Sequence, residues 1–541
     1  MMDVLPPEIS SIFYLLSNEE KEGIVEGKKL TPNSNLEEIE EVLLLILHKL
    51  SAPSVSFTFL LGRIFYHRGK FKLIRDYYSQ IQSVGLGLWY SLCLLFEGRN
   101  DEYAELKIKL EENLKGSLFF SFIYYIESIK GYLQQDFVYY KENRENCFNF
   151  VALNAHEEKE YQGDLFRLIQ MYMLELDATY LRSNYVLSLA KNKTEELLNI
   201  NRAVNDRILL AQIHSTIGTI ELDRGNFQLA HQIFLKSEAI AREIKIDRLL
   251  GHINGSIGDV YLQMGHFDEA MLYYDKSKRV IENWSCDLRS LYILHSSFAE
   301  VYFAKEEYEK AIIEMDKALE ILEDNQFKDL TMKMKYSEIL LYTDQIDKVE
   351  KILSEINAEG QDTLSSTQKS FFWFLLGFME YKKNNYGNAQ EFLQPAMVLA
   401  DELGHEILSS RTLVLLSIIF LKKYTITLSL EELIEADKCL EDILTYLEEK
   451  AKFESLSIIY HIRAKIKIVL LDFETALFLL KTGEVLARTY TPHLIEDYNA
   501  RIQQVKIAIE SEVERMTDTR LIDFIEDINT IATILRKESR K

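Results

Sequence analysis

This chain of 541 residues has few of the residues that interrupt helices, with only 6 prolines and 21 glycines. Because proline and glycine are the least favourable residues in a helix interior, long helices are permitted nearly everywhere. The four cysteines, Cys93, Cys147, Cys286 and Cys439, are far apart and form no Cys-x-x-Cys pair. That spacing argues against a disulfide framework or a structural zinc site and fits a reducing compartment. The composition predicts an all-α protein.

Long apolar runs are also missing. The strongest, residues 42–47 and 413–421, are far shorter than the roughly 20 residues that a membrane-spanning helix needs. No basic segment precedes the short apolar stretch at residues 9–16, as a secretory signal would require. We therefore predict no membrane span and a cytoplasmic location.

Positive charge is scarce relative to negative charge. The chain has 85 Asp and Glu against 62 Lys and Arg, a formal net charge of −23, and no compact basic block before the last six residues. Nucleic-acid binding requires a clustered basic face that neutralises phosphates. The charge therefore predicts no nucleic-acid partner, and an acidic surface favours solubility and basic partners.

Motifs that carry chemistry are lacking as well. The sequence has no His-Glu-x-x-His metal motif, no phosphate-binding loop, no Gly-x-Ser-x-Gly elbow and no dinucleotide fingerprint. Clusters of carboxylates, such as residues 37–41, have the spacing of ordinary charge on a helix surface. We predict no enzymatic activity, no catalytic residue, no cofactor and no bound metal.

The chain does contain an internal repeat. Small residues followed by similar aromatic and alanine positions recur at Gly218, Gly258 and Ala299, which are 40 and 41 residues apart (258−218 and 299−258). Periods of this size indicate a helical solenoid, in which antiparallel helix pairs stack on their neighbours. The same small position continues through Ser337, Gly377, Ser417 and Ala464.

These patterns divide the sequence into four predicted segments. They are a lead-in and linker at 1–35, a degenerate helical array at 36–157, the array of repeats of about 40 residues at 158–490, and two C-terminal helices at 491–541. Extra residues at Tyr424–Leu430 predict a longer loop between two paired helices. The last helix has an apolar stripe that either caps the array or docks a partner or a second copy: Leu521, Ile525, Ile528, Ile531 and Leu535.

The repeat resembles the tetratricopeptide repeat family. Its clearest copy has small residues at Gly258 and Ala270, with Tyr261, Phe267 and Tyr274 at the family's aromatic positions. The spacing of about 40 residues is similar to that of the long-helix members, which include kinesin light chains, spindle-orientation adaptors and bacterial peptide-pheromone receptors. The resemblance implies a right-handed superhelix of antiparallel helix pairs whose concave groove binds a peptide or protein segment without catalysis.

The family's offsets along the first helix of each pair then predict which side chains face such a groove. Asp259 and Glu300 are among them and favour a basic or amide-rich ligand. The predicted partner-binding side chains are Phe59, Arg63 and Tyr66 in the N-terminal array, Gln212, Thr219, Asp223, Asp259, Gln263 and Glu300 in the strong repeats, and Phe374, Phe378, Tyr381 and Lys382 around Gly377.

Three functions remain open from the sequence. The first is a protein-interaction scaffold or adaptor that holds a segment of another protein in its groove. The second is a regulatory receptor for a short peptide. This hypothesis is weaker, because such receptors usually carry an effector domain and residues 1–60 show no convincing one. The third is a structural subunit of a larger assembly, with the C-terminal helices as its interface.

Overall fold

The structure is a computed structural model that describes residues 5–26, 30–155, 163–283, 287–325, 329–358, 364–449, 452–510 and 524–539. Helices joined by short turns make up these ranges, and no β-strand occurs within them. The all-α prediction is confirmed.

The helices divide into an N-terminal series and the repeat-bearing series that follows it. The first series is α1 (Pro7–Phe13), α2 (Asn18–Glu26), α3 (Leu36–Leu47), α4 (Val55–His67), α5 (Phe71–Ile81), α6 (Val84–Phe96), α7 (Asn100–Leu114), α8 (Phe120–Leu133) and α9 (Phe137–Ala155). The second is α10 (Gly163–Ser183), α11 (Leu187–Val204), α12 (Arg207–Asp223), α13 (Phe227–Glu243), α14 (Asp247–Gln263), α15 (Phe267–Glu282), α16 (Leu288–Ala304), α17 (Tyr308–Asp324), α18 (Leu330–Tyr342), α19 (Ile346–Ala358), α20 (Ser366–Lys382), α21 (Tyr386–Glu402), α22 (Glu406–Thr427), α23 (Leu430–Glu449), α24 (Phe453–Val469), α25 (Phe473–Tyr490), the 3-10 helix Pro492–Leu494, α26 (Ile495–Glu510) and α27 (Ile525–Ser539).

The chain forms two compact units, residues 1–332 and residues 333–541. Within each unit, consecutive helices pack as pairs, such as α14 with α15 and α20 with α21, and pairs pack against their neighbours along the chain, such as α15 against α16 and α21 against α22. We call the first helix of a pair the A helix and the second the B helix; α12, α14, α16, α20, α22 and α24 are A helices. This arrangement confirms the predicted solenoid of helix pairs. The predicted segment boundaries after residues 35, 157 and 490 stay predictions.

The small repeat residues lie where an A helix crosses its B helix. In α14, a Cβ atom placed on Gly258 would come within 2.5 Å of the Tyr274 ring in α15. That ring is fully buried, and its hydroxyl donates a hydrogen bond to Asp259 Oδ1 at 2.6 Å. A Cβ atom on Gly218 would come within 2.7 Å of Phe234, and one on Gly377 within 2.5 Å of Leu393. The absence of a side chain is therefore what lets each helix pair approach closely, as the sequence predicted.

A hydrogen bond from a serine side chain to a backbone carbonyl marks the same crossing in several pairs. Ser277 Oγ of α15 donates to the Gly251 carbonyl of α14 at 2.8 Å, and Ser237 makes the equivalent bond to Ala211 at 2.6 Å. In α20 and α21 the direction reverses, because Ser370 of the A helix donates to the Ala396 carbonyl of the B helix at 2.7 Å. These serines satisfy their buried hydroxyls at the crossing, which the sequence analysis did not predict.

Two local expectations were wrong. Residues 1–35 were predicted as a lead-in and linker, but α1 and α2 lie within them. The extra residues at Tyr424–Leu430 do not form a loop; α22 continues to Thr427, so it has 22 residues where α12, α14 and α16 have 17. Nothing in the added segment stops a helix, because it contains neither proline nor glycine.

In the first unit, the N-terminal helices pack onto the A helices of the later pairs. Arg63 of α4 forms an ion pair with Asp206, the residue that caps α12, at 2.6 Å, and both side chains are completely buried. Arg207 at the start of α12 likewise binds Glu8 of α1 at 2.9 Å. These contacts join residues up to 199 positions apart in the sequence, so the beginning of the chain covers the N-terminal ends of later A helices.

The two C-terminal helices have different positions in the second unit. Helix α26 continues the stack, since the Tyr498 ring packs at Gly483 of α25 and its hydroxyl donates to the Ser457 carbonyl at 2.5 Å. Helix α27 does not continue it, but lies against the A helices α22 and α24.

The predicted stripe of α27 is partly confirmed. Ile528, Ile531 and Leu535 are buried, whereas Ile525 is 56% exposed, and Leu521 lies outside the described residues. Phe524 replaces Ile525 in the buried stripe, because it lies one turn before Ile528 on the same side of the helix.

Candidate partner-binding face

The candidate partner-binding face is the side of the A helices that carries the position directly after the small anchor residue. In the first unit this position holds Thr219 after Gly218, Asp259 after Gly258 and Glu300 after Ala299. All three side chains are partly exposed. Three further predicted residues, Gln212, Asp223 and Gln263, are also partly exposed. We call the set Gln212, Thr219, Asp223, Asp259, Gln263 and Glu300 the first-unit face.

The first-unit face carries three carboxylates, those of Asp223, Asp259 and Glu300. Asp259 and Glu300 both act on Tyr274, whose pKa is raised well above its usual value by burial first and then by these two carboxylates. The two carboxylates hold the same repeat position on α14 and α16, two A helices that are in contact. The buried Tyr274 hydroxyl donates a hydrogen bond to Asp259, which fixes the orientation of that carboxylate.

The same face contains an acceptor whose hydrogen-bonding capacity is not used. The Oε1 atom of Gln212 is buried and accepts no hydrogen bond from any described residue. A buried acceptor without a donor costs free energy of about 1–3 kcal/mol, so a turn of the Gln212 side chain toward a ligand donor at the surface is favoured. The Thr219 hydroxyl does not serve as the donor to Gln212, because it donates to the Ser215 carbonyl at 2.9 Å.

The sequence analysis missed three arginines near these residues. Arg182 of α10 forms an ion pair with Asp223 at 3.0 Å, which offsets the charge of that predicted side chain. Arg248 of α14 stacks over the rings of Tyr66 and Phe96, at 4.8 and 5.1 Å from their centroids. Applying the repeat offsets to the N-terminal ends of the A helices would have found Arg248 and Arg289, ten residues before Gly258 and Ala299.

His252 lies one helical turn after Arg248 and is partly exposed. Its pKa is lowered to about 4, because burial disfavours the charged imidazolium and the neighbouring Arg248 repels it. The imidazole is therefore uncharged at neutral pH. The positive charge at this end of α14 comes from arginine, and the negative charge of the first-unit face lies toward the helix C-terminal end.

The predicted N-terminal contacts Phe59, Arg63 and Tyr66 are wrong as surface residues. Phe59 and Arg63 are completely buried and Tyr66 is 6% exposed. Arg63 binds Asp206 and donates from Nε to the Tyr172 hydroxyl at 3.0 Å. The side of α4 that carries these side chains packs against α10, α12 and α14 within the unit.

The aromatic candidates of α20 divide into buried and partly exposed residues. Phe374 and Phe378 are 0% and 2% exposed, so their prediction as partner contacts is also wrong. Arg411 of α22 lies 4.7 Å from the centroid of Phe374 and forms an ion pair with Glu338. Tyr381 and Lys382 are partly exposed, and Lys382 binds Asp344 at 2.7 Å.

Few features of the described residues suggest bound metal or reactive thiols. No group of three or more His, Cys, Asp or Glu side chains in those ranges has the arrangement to hold a metal ion. Cys93, Cys147 and Cys439 are buried and form no disulfide among the described residues, and burial raises the pKa of Cys147 and of Cys439 to about 12. Cys286 lies outside the described residues. Within the ranges searched, no helix is both long and apolar enough to cross a membrane.

Comparison with known proteins identifies one repeat directly. Residues 252–283, which lie in α14 and α15, match the family profile described as tetratricopeptide repeat. No curated protein sequence matches this chain.

Several solved structures are similar to this chain over much of its length, all with low sequence identity. The chain is similar to aspartyl phosphate phosphatase F from Bacillus subtilis, with 17% identity, 68% of this chain and 94% of that chain covered, and a TM-score of 0.39. It is also similar to the Cut9–Hcn1 hetero-tetramer of the APC/C, with 14% identity, 92% and 98% coverage and a TM-score of 0.42. For yeast Tom70 the identity is 15%, the coverage 92% and 96%, and the TM-score 0.37.

The family assignment depends on the matched repeat together with the geometry of its neighbours. The match covers the helix pair in which Gly258 packs against Tyr274. The preceding pair has the same close approach, between Gly218 and Phe234. Residues 252–283 therefore form a tetratricopeptide repeat, and the preceding helix pair has the same crossing geometry.

Proposed function

We propose that this chain is a non-enzymatic interaction scaffold whose first-unit face holds a basic or amide-rich segment of another protein. The observation that carries the proposal is the series of hydrogen-bond acceptors on partly exposed A-helix side chains. Gln212 on α12 offers an amide oxygen that accepts no hydrogen bond from a described residue, and Asp259 and Glu300 offer carboxylates on α14 and α16. A ligand rich in lysine, arginine, asparagine or glutamine supplies the matching donors.

The repeat architecture supports this kind of ligand. Stacked helix pairs present one side chain per repeat at the same height, so a segment that lies across them meets a regular series of contacts. The series in this chain is Thr219, Asp259 and Glu300, spaced by one repeat each. The peptide-receptor and assembly-subunit alternatives use the same face. In the first the bound segment is a short free peptide, and in the second it is part of another subunit.

A selection of displayed random peptides on the immobilised full-length chain tests the proposal. We expect enrichment of peptides with basic and amide side chains. The paired variants Asp259→Asn and Glu300→Gln keep the shape and one acceptor oxygen each, remove the charge and replace the other oxygen by an NH2 donor, and we expect them to weaken binding of selected peptides about tenfold. Glu269→Gln, at an exposed position on the B helix α15, is the matched control and leaves binding unchanged.

Two results would contradict the proposal. One is enrichment of acidic or purely apolar peptides, and the other is an equal loss of binding in the Glu269→Gln control. Mass spectrometry of the native protein separates the alternatives: a short peptide that co-purifies in stoichiometric amount favours the receptor, and a large partner protein favours the scaffold or the assembly subunit.

A further inference from the structure

The second unit has an A-helix face that is already occupied, and the occupant is the chain's own last helix. Helix α27 packs along α22 and α24. Its buried side chains are Phe524, Ile528, Ile531, Ile534 and Leu535, and each of them is at most 3% exposed. The opposite side of α27 carries the exposed residues Ile525, Glu526, Asn529 and Thr533. An amphipathic helix with anchors every three or four residues is the usual ligand of a helix-binding groove.

One polar contact fixes the position of α27 in this groove. Lys465 of α24 forms an ion pair with Asp527, with Nζ 2.9 and 3.0 Å from the two carboxylate oxygens. The two side chains are 9% and 7% exposed. A buried ion pair contributes little net stability, but a mismatched partner leaves a charge buried and unpaired. Lys465 therefore selects for an acidic residue at one position of the bound helix.

Lys465 holds the same repeat position as the predicted partner contacts of the first unit. It directly follows the small residue Ala464, as Asp259 follows Gly258 and Glu300 follows Ala299. Helix α27 thus lies on the part of the second unit that corresponds to the first-unit face. The charge at that position is reversed, so the two faces differ in the ligands they select.

The extended end of α22 completes the groove. Tyr424 belongs to the added residues that lengthen α22, and it is 3% exposed. Its ring meets the ring of Phe524 edge to face, with centroids 5.8 Å apart. The insertion that the sequence predicted as a loop is instead a helical extension that seats the first aromatic anchor of α27.

We propose that the groove formed by α22 and α24 is a binding site for an amphipathic helix of a partner protein, and that α27 is its resident occupant, which the partner displaces. The inference rests on the proposed scaffold function and adds a second face with its own ligand chemistry. The partner helix carries an aromatic residue, an acidic residue three positions later and aliphatic residues four, seven and eleven positions later. That is the pattern of Phe524, Asp527, Ile528, Ile531 and Leu535.

A labelled synthetic peptide of residues 524–539 is the probe for this groove. Fluorescence anisotropy measures its binding to the full-length chain. In the wild-type chain α27 competes from the same molecule, so we expect weak binding. Ile528→Ala together with Ile531→Ala loosens the resident helix, and we expect the apparent affinity for the wild-type peptide to rise at least tenfold. Ile525→Ala changes an exposed residue of the same helix and is the matched control, with no expected gain.

Charge reversal tests whether the peptide binds in the groove. In the loosened chain, Lys465→Glu is expected to lower affinity for the wild-type peptide at least tenfold, and a peptide with Asp527→Lys is expected to restore it. Lys481→Glu, at an exposed position of α25, is the control and leaves affinity unchanged.

The proposal is overturned if the loosened chain retains its helical circular dichroism but gains no affinity for the peptide, or if Lys481→Glu weakens binding as much as Lys465→Glu. Should the double variant unfold, the milder Asp527→Asn chain takes its place, and a lack of increased binding there is equally decisive. A wild-type dimer that the peptide dissociates would assign the groove to a second copy and overturn the assignment to another protein. Because these measurements probe only α22, α24 and α27, their failure leaves the peptide selection and the Asp259 and Glu300 results unaffected.

Discussion

Replacing Gly258 by alanine tests whether close helix crossing is what holds each repeat together. The added methyl group would lie 2.5 and 2.6 Å from two atoms of the Tyr274 ring, which is closer than carbon atoms can approach. The ring has little room to move aside, because it is fully buried and its hydroxyl binds Asp259. The two helices must therefore separate or the ring must leave its position.

Two opposing effects set the magnitude. Overpacking a close contact costs about 1–3 kcal/mol. Alanine also favours a helix interior over glycine by roughly 1 kcal/mol. The difference between them leaves a net loss, so we expect Gly258→Ala to lower the free energy of unfolding by up to about 2 kcal/mol.

Gly255→Ala in the same helix provides the matched control. A methyl group there would meet only the Ser277 hydroxyl oxygen, at an ordinary contact distance of 3.6 Å. Helix propensity then dominates, and we expect a gain of up to about 1 kcal/mol. Urea unfolding followed by circular dichroism, under identical conditions for both variants, measures the difference. Equal stability of the two variants, or a more stable Gly258→Ala chain, would refute the role assigned to the crossing.

Two further predictions concern buried charge. Burial, and then the charge of Arg248, lowers the pKa of His252 from near 6.5 in the unfolded chain to about 4 in the folded chain. As the pH falls, the unfolded chain therefore binds a proton at this residue before the folded chain does. Stability should decline by about 2 kcal/mol between pH 6.5 and 4, and thermal melts of His252→Gln should show a smaller decline over that window; an identical pH profile would contradict the assignment. Arg63→Met leaves Asp206 buried and unpaired, and it should cost about 3–5 kcal/mol in urea unfolding. Adding Asp206→Ser keeps an oxygen to cap α12 while removing the charge and should recover most of the loss; no recovery would show that the ion pair is not the cause.

The sequence could predict the repeat because each helix pair is specified by residues close together in the chain. Gly258 and Tyr274 are 16 positions apart (274−258), and the same combination recurs as Gly218 with Phe234. Local contacts of this kind leave a periodic record of small and aromatic residues, so the all-α solenoid and the position of each crossing could be predicted from the sequence.

What packs against an A helix depends on contacts between distant parts of the chain, and these leave no periodic record. Arg63 faces the predicted side of α4, but Asp206, which lies 143 positions later, packs there and buries it. Asp259 was also predicted as a partner-binding side chain, and it is partly exposed. The periodic sequence thus determined which side chains share a face, and only the tertiary structure decided whether that face is open or filled. The physical reason is that a repeat constrains its immediate neighbours, whereas the helices before and after the array are free to cover any apolar surface within their reach.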